Sequence, residues 1–149
     1  MNKYEQYEKE GREKLISVFP ETQWIFSYNT LSTFDAYAEH KGKKIIAEIK
    51  TRNFSSYAYD TCYIELDKAI SNLTYNDVDS VLYVVHYTND VTCTWNLSNI
   101  DLSDLTASTR LMNQTTAQDT GKIHKEVYEL KVNDADIRST STGKKIKKQ

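Results

Sequence analysis

Proline occurs once, at Pro20, glycine four times and cysteine twice in the 149 residues. No Pro- or Gly-rich linker divides the chain, so turns are read from Asn, Asp, Ser and Thr. Cys62 and Cys93 lack CxxC or zinc-finger spacing. That excludes a disulfide scaffold or zinc ribbon and points to free, half-buried thiols in a reducing compartment. No apolar run approaches the roughly 20 residues of a membrane span. The opening Met-Asn-Lys-Tyr-Glu is charged where a secretory signal peptide carries an apolar stretch. The expectation is therefore a cytoplasmic protein with no membrane partner. Charge of one sign is lacking too: the formal net charge is −2, which argues against a plain polyanion binder.

What is present is a chain of 17.3 kDa, 39% hydrophobic and 27% charged, with mean hydropathy −0.65. This is one ordinary domain, long enough to bury a core without metal or disulfide staples. The charge is unevenly spread. Glu39 to Arg52 holds Lys41, Lys43, Lys44, Lys50 and Arg52 against Glu39 and Glu48, whereas Asp60 to Thr106 holds Lys68 against eight acidic residues. The end, Lys144-Lys145-Ile146-Lys147-Lys148, is basic again and reads as a flexible tail over 138–149.

The apolar spacing of Tyr4, Tyr7, Gly11, Leu15 and Val18 predicts an amphipathic helix over 3–18 that Pro20 ends. Strands are expected at Trp24–Tyr28, Thr33–Glu39 and Lys44–Thr51, then a tyrosine-rich loop and a helix from Glu65 to Leu73. Ser80–Tyr87 reads as a buried strand, paired with Val91–Leu97 through Asn89-Asp90, and His124–Val132 as a last strand. Residues 101–120 are polar and ambiguous. The expected fold is α/β (α+β), a mixed central sheet flanked by helices. Residues 4–88 form its core of order αβββαβ, and 89–137 form C-terminal strands and an extension.

The informative stretch runs from Phe34 to Lys50. Folded as a hairpin about Lys41-Gly42, opposed residues have numbers summing to 83. Phe34/Ile49, Ala36/Ala47 and Ala38/Ile45 then share one apolar face, while Thr33/Lys50, Asp35/Glu48, Tyr37/Ile46 and Glu39/Lys44 share the other. A one-residue slip scrambles that separation, so the register holds unless a bulge interrupts it. Asp35 and Glu48 then face each other with Cβ atoms about 4.5–5.5 Å apart. Two facing carboxylates repel unless a proton or cation lies between them. Hard oxygen ligands with an open approach suit Mg²⁺ or Mn²⁺. Lys50, on the same face, is placed to orient or deprotonate a water or to offset phosphate charge. The competing account is an ordinary solvated Glu/Lys ladder.

Asp35, followed by Glu48-Ile49-Lys50 and set in this order of elements, resembles the D…ExK signature of the PD-(D/E)xK nuclease superfamily. The resemblance covers roughly residues 4–88 and is closest to small phage-type or mobile-element endonucleases and Holliday-junction-resolvase-like proteins. Phe34 stands where the family pattern has proline. The resemblance implies a restriction-endonuclease-like core and Mg²⁺-dependent cutting of DNA, with Asp35, Glu48 and the Ile49 carbonyl holding the metal and Lys50 catalytic. It also implies a homodimer and an acidic helix residue near the metal. Glu8 lies nearest the apolar stripe of the first helix and takes that part, or else pairs with Lys9 or Arg12. Lys68 fits the family's auxiliary lysine on the following helix, or else pairs with Asp67 or Glu65.

Arg52, Asn53 and Tyr57, leaving the ExK strand together, and Lys43 and Lys44 at the hairpin turn are candidate DNA contacts. The alternative to a nuclease is a non-catalytic nucleic-acid-binding or interaction module that keeps the fold. Against that, the Asp, Glu and Lys are all present.

Overall fold

The computed structural model describes residues 2–27, 33–113 and 121–146. Tyr28, the end of the 101–120 stretch and Lys147-Lys148 lie outside them. Helix α1 (Lys3–Val18) opens at Asn2, whose side chain accepts the Glu5 N–H at 2.9 Å, and ends at Phe19, just before Pro20. Strands β1 (Ile25–Phe26), β2 (Ala36–His40) and β3 (Lys43–Thr51) follow, then β4 (Thr61–Glu65), α2 (Leu66–Leu73), β5 (Ser80–His86) and β6 (Val91–Asn96). Strands β7 (Ala107–Asn113), β8 (Lys122–Lys131) and β9 (Asp136–Ser139) complete an α+β domain.

One mixed sheet has the order β1-β2-β3-β5-β6-β9 and a second, three-stranded sheet the order β4-β8-β7. The β2–β3 ladder pairs Ala36 with Ala47 through His40 with Lys43, every pair summing to 83 as the alternation requires. Lys41 (φ 52°) and Gly42 (φ 77°) form the two-residue turn, whose positive φ values match the strand twist. Parallel pairing of β3 with β5 places Glu48 beside Tyr83 and Lys50 beside Val85. Strand β5 is covered on both sides, which explains its nearly continuous apolar sequence.

On one face of the large sheet, Leu15 of α1 packs with Ala36, Ala47 and Val84. Gly11 allows the close approach, since a Cβ there would lie 3.2 Å from Ile49 Cγ2. The other face carries Ile46, Val81, Tyr83 and Val85, which pack with Cys62, Ile64 and Leu130 of the small sheet and Ala69 of α2. The Trp95 indole joins the two layers by donating to the Lys131 carbonyl at 2.9 Å. Both cysteines are buried and neither forms a disulfide among the described residues.

Two expectations are corrected. Residues 138–146 are not a loose tail. Strand β9 pairs with β6, Lys145 bridges Arg138, and Asp90 in the β5–β6 turn accepts the Ser139 and Ser141 hydroxyls at 2.9 and 2.8 Å. The Asp90 carboxyl is held below its usual range by those hydroxyls. Secondly, the face bearing Glu48 is no solvated ladder, because β4, β8 and α2 cover it.

Candidate functional site

The alternation that turns Ala47 and Ile49 toward α1 turns Ile46, Glu48 and Lys50 into the space between the two sheets. Glu48 is 4% exposed there. Its Oε1 lies 3.7 Å from Lys68 Nζ, and its buried Oε2 makes no hydrogen bond within the described residues. Lys68 reaches the site from the first turn of α2 and also stands 3.8 Å from Glu65 Oε2. Glu65, at the end of β4, holds Lys125 of β8 at 3.1 Å through its other oxygen. Charges therefore alternate along Glu48, Lys68, Glu65 and Lys125, with the half-buried Lys50 alongside.

Burial raises the Glu48 carboxyl above its usual pKa, against the pull of Lys50 and Lys68. Burial, helped by the Lys68 charge, lowers Lys50. For Lys68 burial acts in the same downward direction, but Glu48 and Glu65 outweigh it and lift the ammonium above its ordinary value. The two lysines are thus pushed apart, Lys50 toward the neutral amine and Lys68 toward the cation.

Asp35 departs from the expected geometry. The ladder ends at Ala36 opposite Ala47, and the Asp35 N–H also turns to the Ala47 carbonyl, at 2.9 Å. Two residues facing one is the pattern of a bulge, which re-aims the side chain. The Asp35 carboxylate consequently does not stand across the ladder from Glu48. Its Oδ2 accepts the Ile49 N–H at 2.7 Å. Its charge still reaches the cluster, where it opposes ionisation of Glu48 and favours the Lys68 cation.

A divalent cation needs oxygen ligands that are not already committed. Glu48 Oε2 is such an atom, buried and unpaired, and a cation there would offset the cost of that burial. Asp35 and the Ile49 carbonyl are the neighbouring oxygen donors. Among the described residues no group of three or more His, Cys, Asp or Glu side chains converges as a metal site. A cation at Glu48 would therefore have to take most of its remaining oxygens from water or substrate.

The remaining expected residues scatter. Glu8 is on α1, against the opposite face of the sheet; its side chain is 63% exposed and pairs with Arg12 at 3.9 Å. The structure does not bring it to Glu48. Arg52 is committed internally, with Nη2 3.2 Å from both the Tyr63 carbonyl and the Tyr83 hydroxyl. Tyr83 in turn donates to the Tyr63 carbonyl at 2.9 Å. Asn53 and Tyr57 are exposed on the loop after β3, where Tyr57 is 75% accessible. Lys43 and Lys44 are exposed at the other end of β3, with Lys43 roughly 16 Å along the strand from Glu48 at about 3.3 Å per residue.

Sequence reasoning missed Glu65 and Lys125 as members of the cluster. Glu65 was visible only as an i,i+3 neighbour of Lys68, and no sequence signal ties Lys125 to it from sixty positions away. No helix among the described residues is long and apolar enough to cross a membrane. Compared with known proteins, the chain matches no family model, no curated protein and no solved structure.

Proposed function

We propose that this chain is a Mg²⁺- or Mn²⁺-dependent DNA endonuclease of the PD-(D/E)xK type. The observation that carries the reading is Glu48, a buried carboxylate with one unpaired oxygen, beside a lysine depressed by burial and a second lysine kept charged. Structural ion pairs rarely leave a buried carboxylate oxygen without a partner, whereas a catalytic cation site requires one.

Asp35, Glu48 and the Ile49 carbonyl would hold the cation, which when bound supplies charge neutralisation at the scissile phosphate. Lys50, whose charged form burial disfavours, would orient the attacking water or take its proton. As the water oxygen bonds to phosphorus, the bond to the leaving oxygen breaks. The Lys68 ammonium offsets charge on the phosphoryl oxygens. DNA as the substrate, four-way junctions among its forms, and a homodimer serving two strands rest on the resemblance. A cytoplasmic setting, in the host of a phage or mobile element, agrees with two buried cysteines outside any disulfide among the described residues.

One observation favours a second reading. Lys68 already lies 3.7 Å from Glu48, and no three-carboxylate group assembles among the described residues. A non-catalytic nucleic-acid-binding module would keep such a pair as core structure. Mn²⁺ binding, followed by calorimetry and electron paramagnetic resonance, separates the two. The nuclease reading expects binding by the native chain that is lost in Glu48→Gln and weakened in Asp35→Asn. Native protein that binds duplex DNA but no Mn²⁺ establishes the second reading.

A further inference from the structure

The Lys68 ammonium stands between two carboxylates and is bonded to neither. It lies 3.7 Å from Glu48 Oε1 and 3.8 Å from Glu65 Oε2, both beyond the roughly 2.7–3.2 Å of an N–H···O hydrogen bond. Glu65 is fixed from its other side, where Oε1 accepts from Lys125 at 3.1 Å, and its Oε2 is the oxygen turned to Lys68. Glu48 meets Lys68 through Oε1, while its buried Oε2 makes no hydrogen bond within the described residues. Lys68 is also placed where a cation is held poorly. It is the third residue of α2, and the positive end of the helix dipole opposes an ammonium in the first turn. Its side chain is 36% exposed, against 5% for Glu48 and 16% for Glu65, so it is the member of the three with room to move.

We propose that Lys68 is a displaceable counter-cation of Glu48, whose ammonium passes to Glu65 when a divalent cation binds at Glu48 Oε2, a proposal that rests on the nuclease reading. Coulomb's law sets the direction. A divalent charge on one oxygen of a carboxylate repels an ammonium near the other, and burial keeps water from screening that repulsion. Glu65 is the negative charge already within 3.8 Å, so a small swing of the lysine closes that ion pair. No covalent bond changes and no proton moves; one cation replaces another on Glu48. Glu65 is thus a positioning residue that acts on the cation site through Lys68. The exchange also accounts for an ammonium so close to the carboxylate that a metal needs. Lys68 offsets the buried Glu48 charge and, once released, keeps its own charge for the phosphoryl oxygens.

The test is Mn²⁺ binding, measured by calorimetry on the native chain, Lys68→Met, Glu65→Gln and the double variant. The exchange predicts about tenfold tighter binding in Lys68→Met, which has no ammonium to displace, and about tenfold weaker binding in Glu65→Gln, where the ammonium has lost its second carboxylate. Because Glu65 acts through Lys68, the double variant should bind within about threefold of Lys68→Met. A double variant near native affinity, the product of the two single effects, means that each charge acts on the metal separately and overturns the exchange. Equal affinity in the native chain and Lys68→Met overturns it too, and leaves the nuclease reading standing. So does binding by Lys68→Met alone, which makes Lys68 an ammonium that the metal cannot displace. If neither protein binds Mn²⁺, the nuclease reading and the exchange fail together. NMR of native protein with carbon-13-labelled lysine tests the movement with Glu65 intact. Mg²⁺ should shift the Lys68 ε-methylene signal, identified by its loss in Lys68→Met, and leave that of Lys9 on the exposed surface of α1 in place. A Lys68 signal that stays put at saturating Mg²⁺ overturns the exchange.

Discussion

Acid should weaken this fold through one imidazole. His86 is fully buried at the end of β5. Its Nε2 lies 3.2 Å from the Gly11 carbonyl, which can only accept, so Nε2 carries the proton. Nδ1 then accepts from the Thr92 hydroxyl at 2.8 Å, and Thr92 in turn lies 2.7 Å from the Thr140 hydroxyl. Burial, with Lys14 nearby, lowers the imidazole from 6.5 to about 4. Between those values the unfolded chain binds a proton that the folded chain refuses. Stability is therefore fully present above about pH 6.5 and is lost as the pH falls toward 4. At about 1.4 kcal/mol per unit the full loss is roughly 3 kcal/mol, with about 2 kcal/mol gone by pH 5. Urea unfolding of the native chain and of His86→Gln between pH 5 and 7.5 measures it as the difference between the two pH slopes. NMR titration of the His86 ring in the native chain gives the same answer even if the variant folds poorly. Parallel slopes, or a ring titrating near 6.5, would refute the reasoning.

Two further perturbations probe the layer between the sheets. Arg52→Met removes the bonds to the Tyr63 carbonyl and Tyr83 hydroxyl and should cost about 2–3 kcal/mol in chemical denaturation. Duplex affinity should stay unchanged, so a selective loss of DNA binding would show that Arg52 contacts nucleic acid. Glu48→Gln should stabilise the protein in EDTA at pH 7 by about 1 kcal/mol. Its raised pKa makes the ionised form the costly one, a penalty that grows as pH rises above the unfolded carboxyl pKa. A lower melting temperature in that variant would mean that the ion pair with Lys68 is net stabilising.

The β2–β3 hairpin was legible because two short strands alternate independently and agree on one turn at Lys41-Gly42. Strands β5 and β6 were legible as apolar runs around Asn89-Asp90. Strand β4 was not, since Thr61–Glu65 is brief and runs straight into α2. Strand β9 is polar, and its partner β6 lies some forty residues earlier. At the site, the identities of Asp35, Glu48, Lys50 and Lys68 were readable, but their environment was not. The cover that buries Glu48 comes from β4, α2 and β8, and local alternation carries no information about such distant partners. The bulge at Asp35 was equally hidden, because a carboxylate that takes a ladder N–H leaves the apolar pattern intact.

The most direct test of the central claim is nicking of supercoiled plasmid and of a four-way junction by native protein and Lys50→Ala in Mg²⁺, Mn²⁺ and EDTA. The account predicts cutting by the native chain in either metal, none in EDTA, and a loss of at least a hundredfold in Lys50→Ala with Mn²⁺ binding retained. Cutting that persists in Lys50→Ala, or native protein that neither cuts nor binds Mn²⁺, would contradict it.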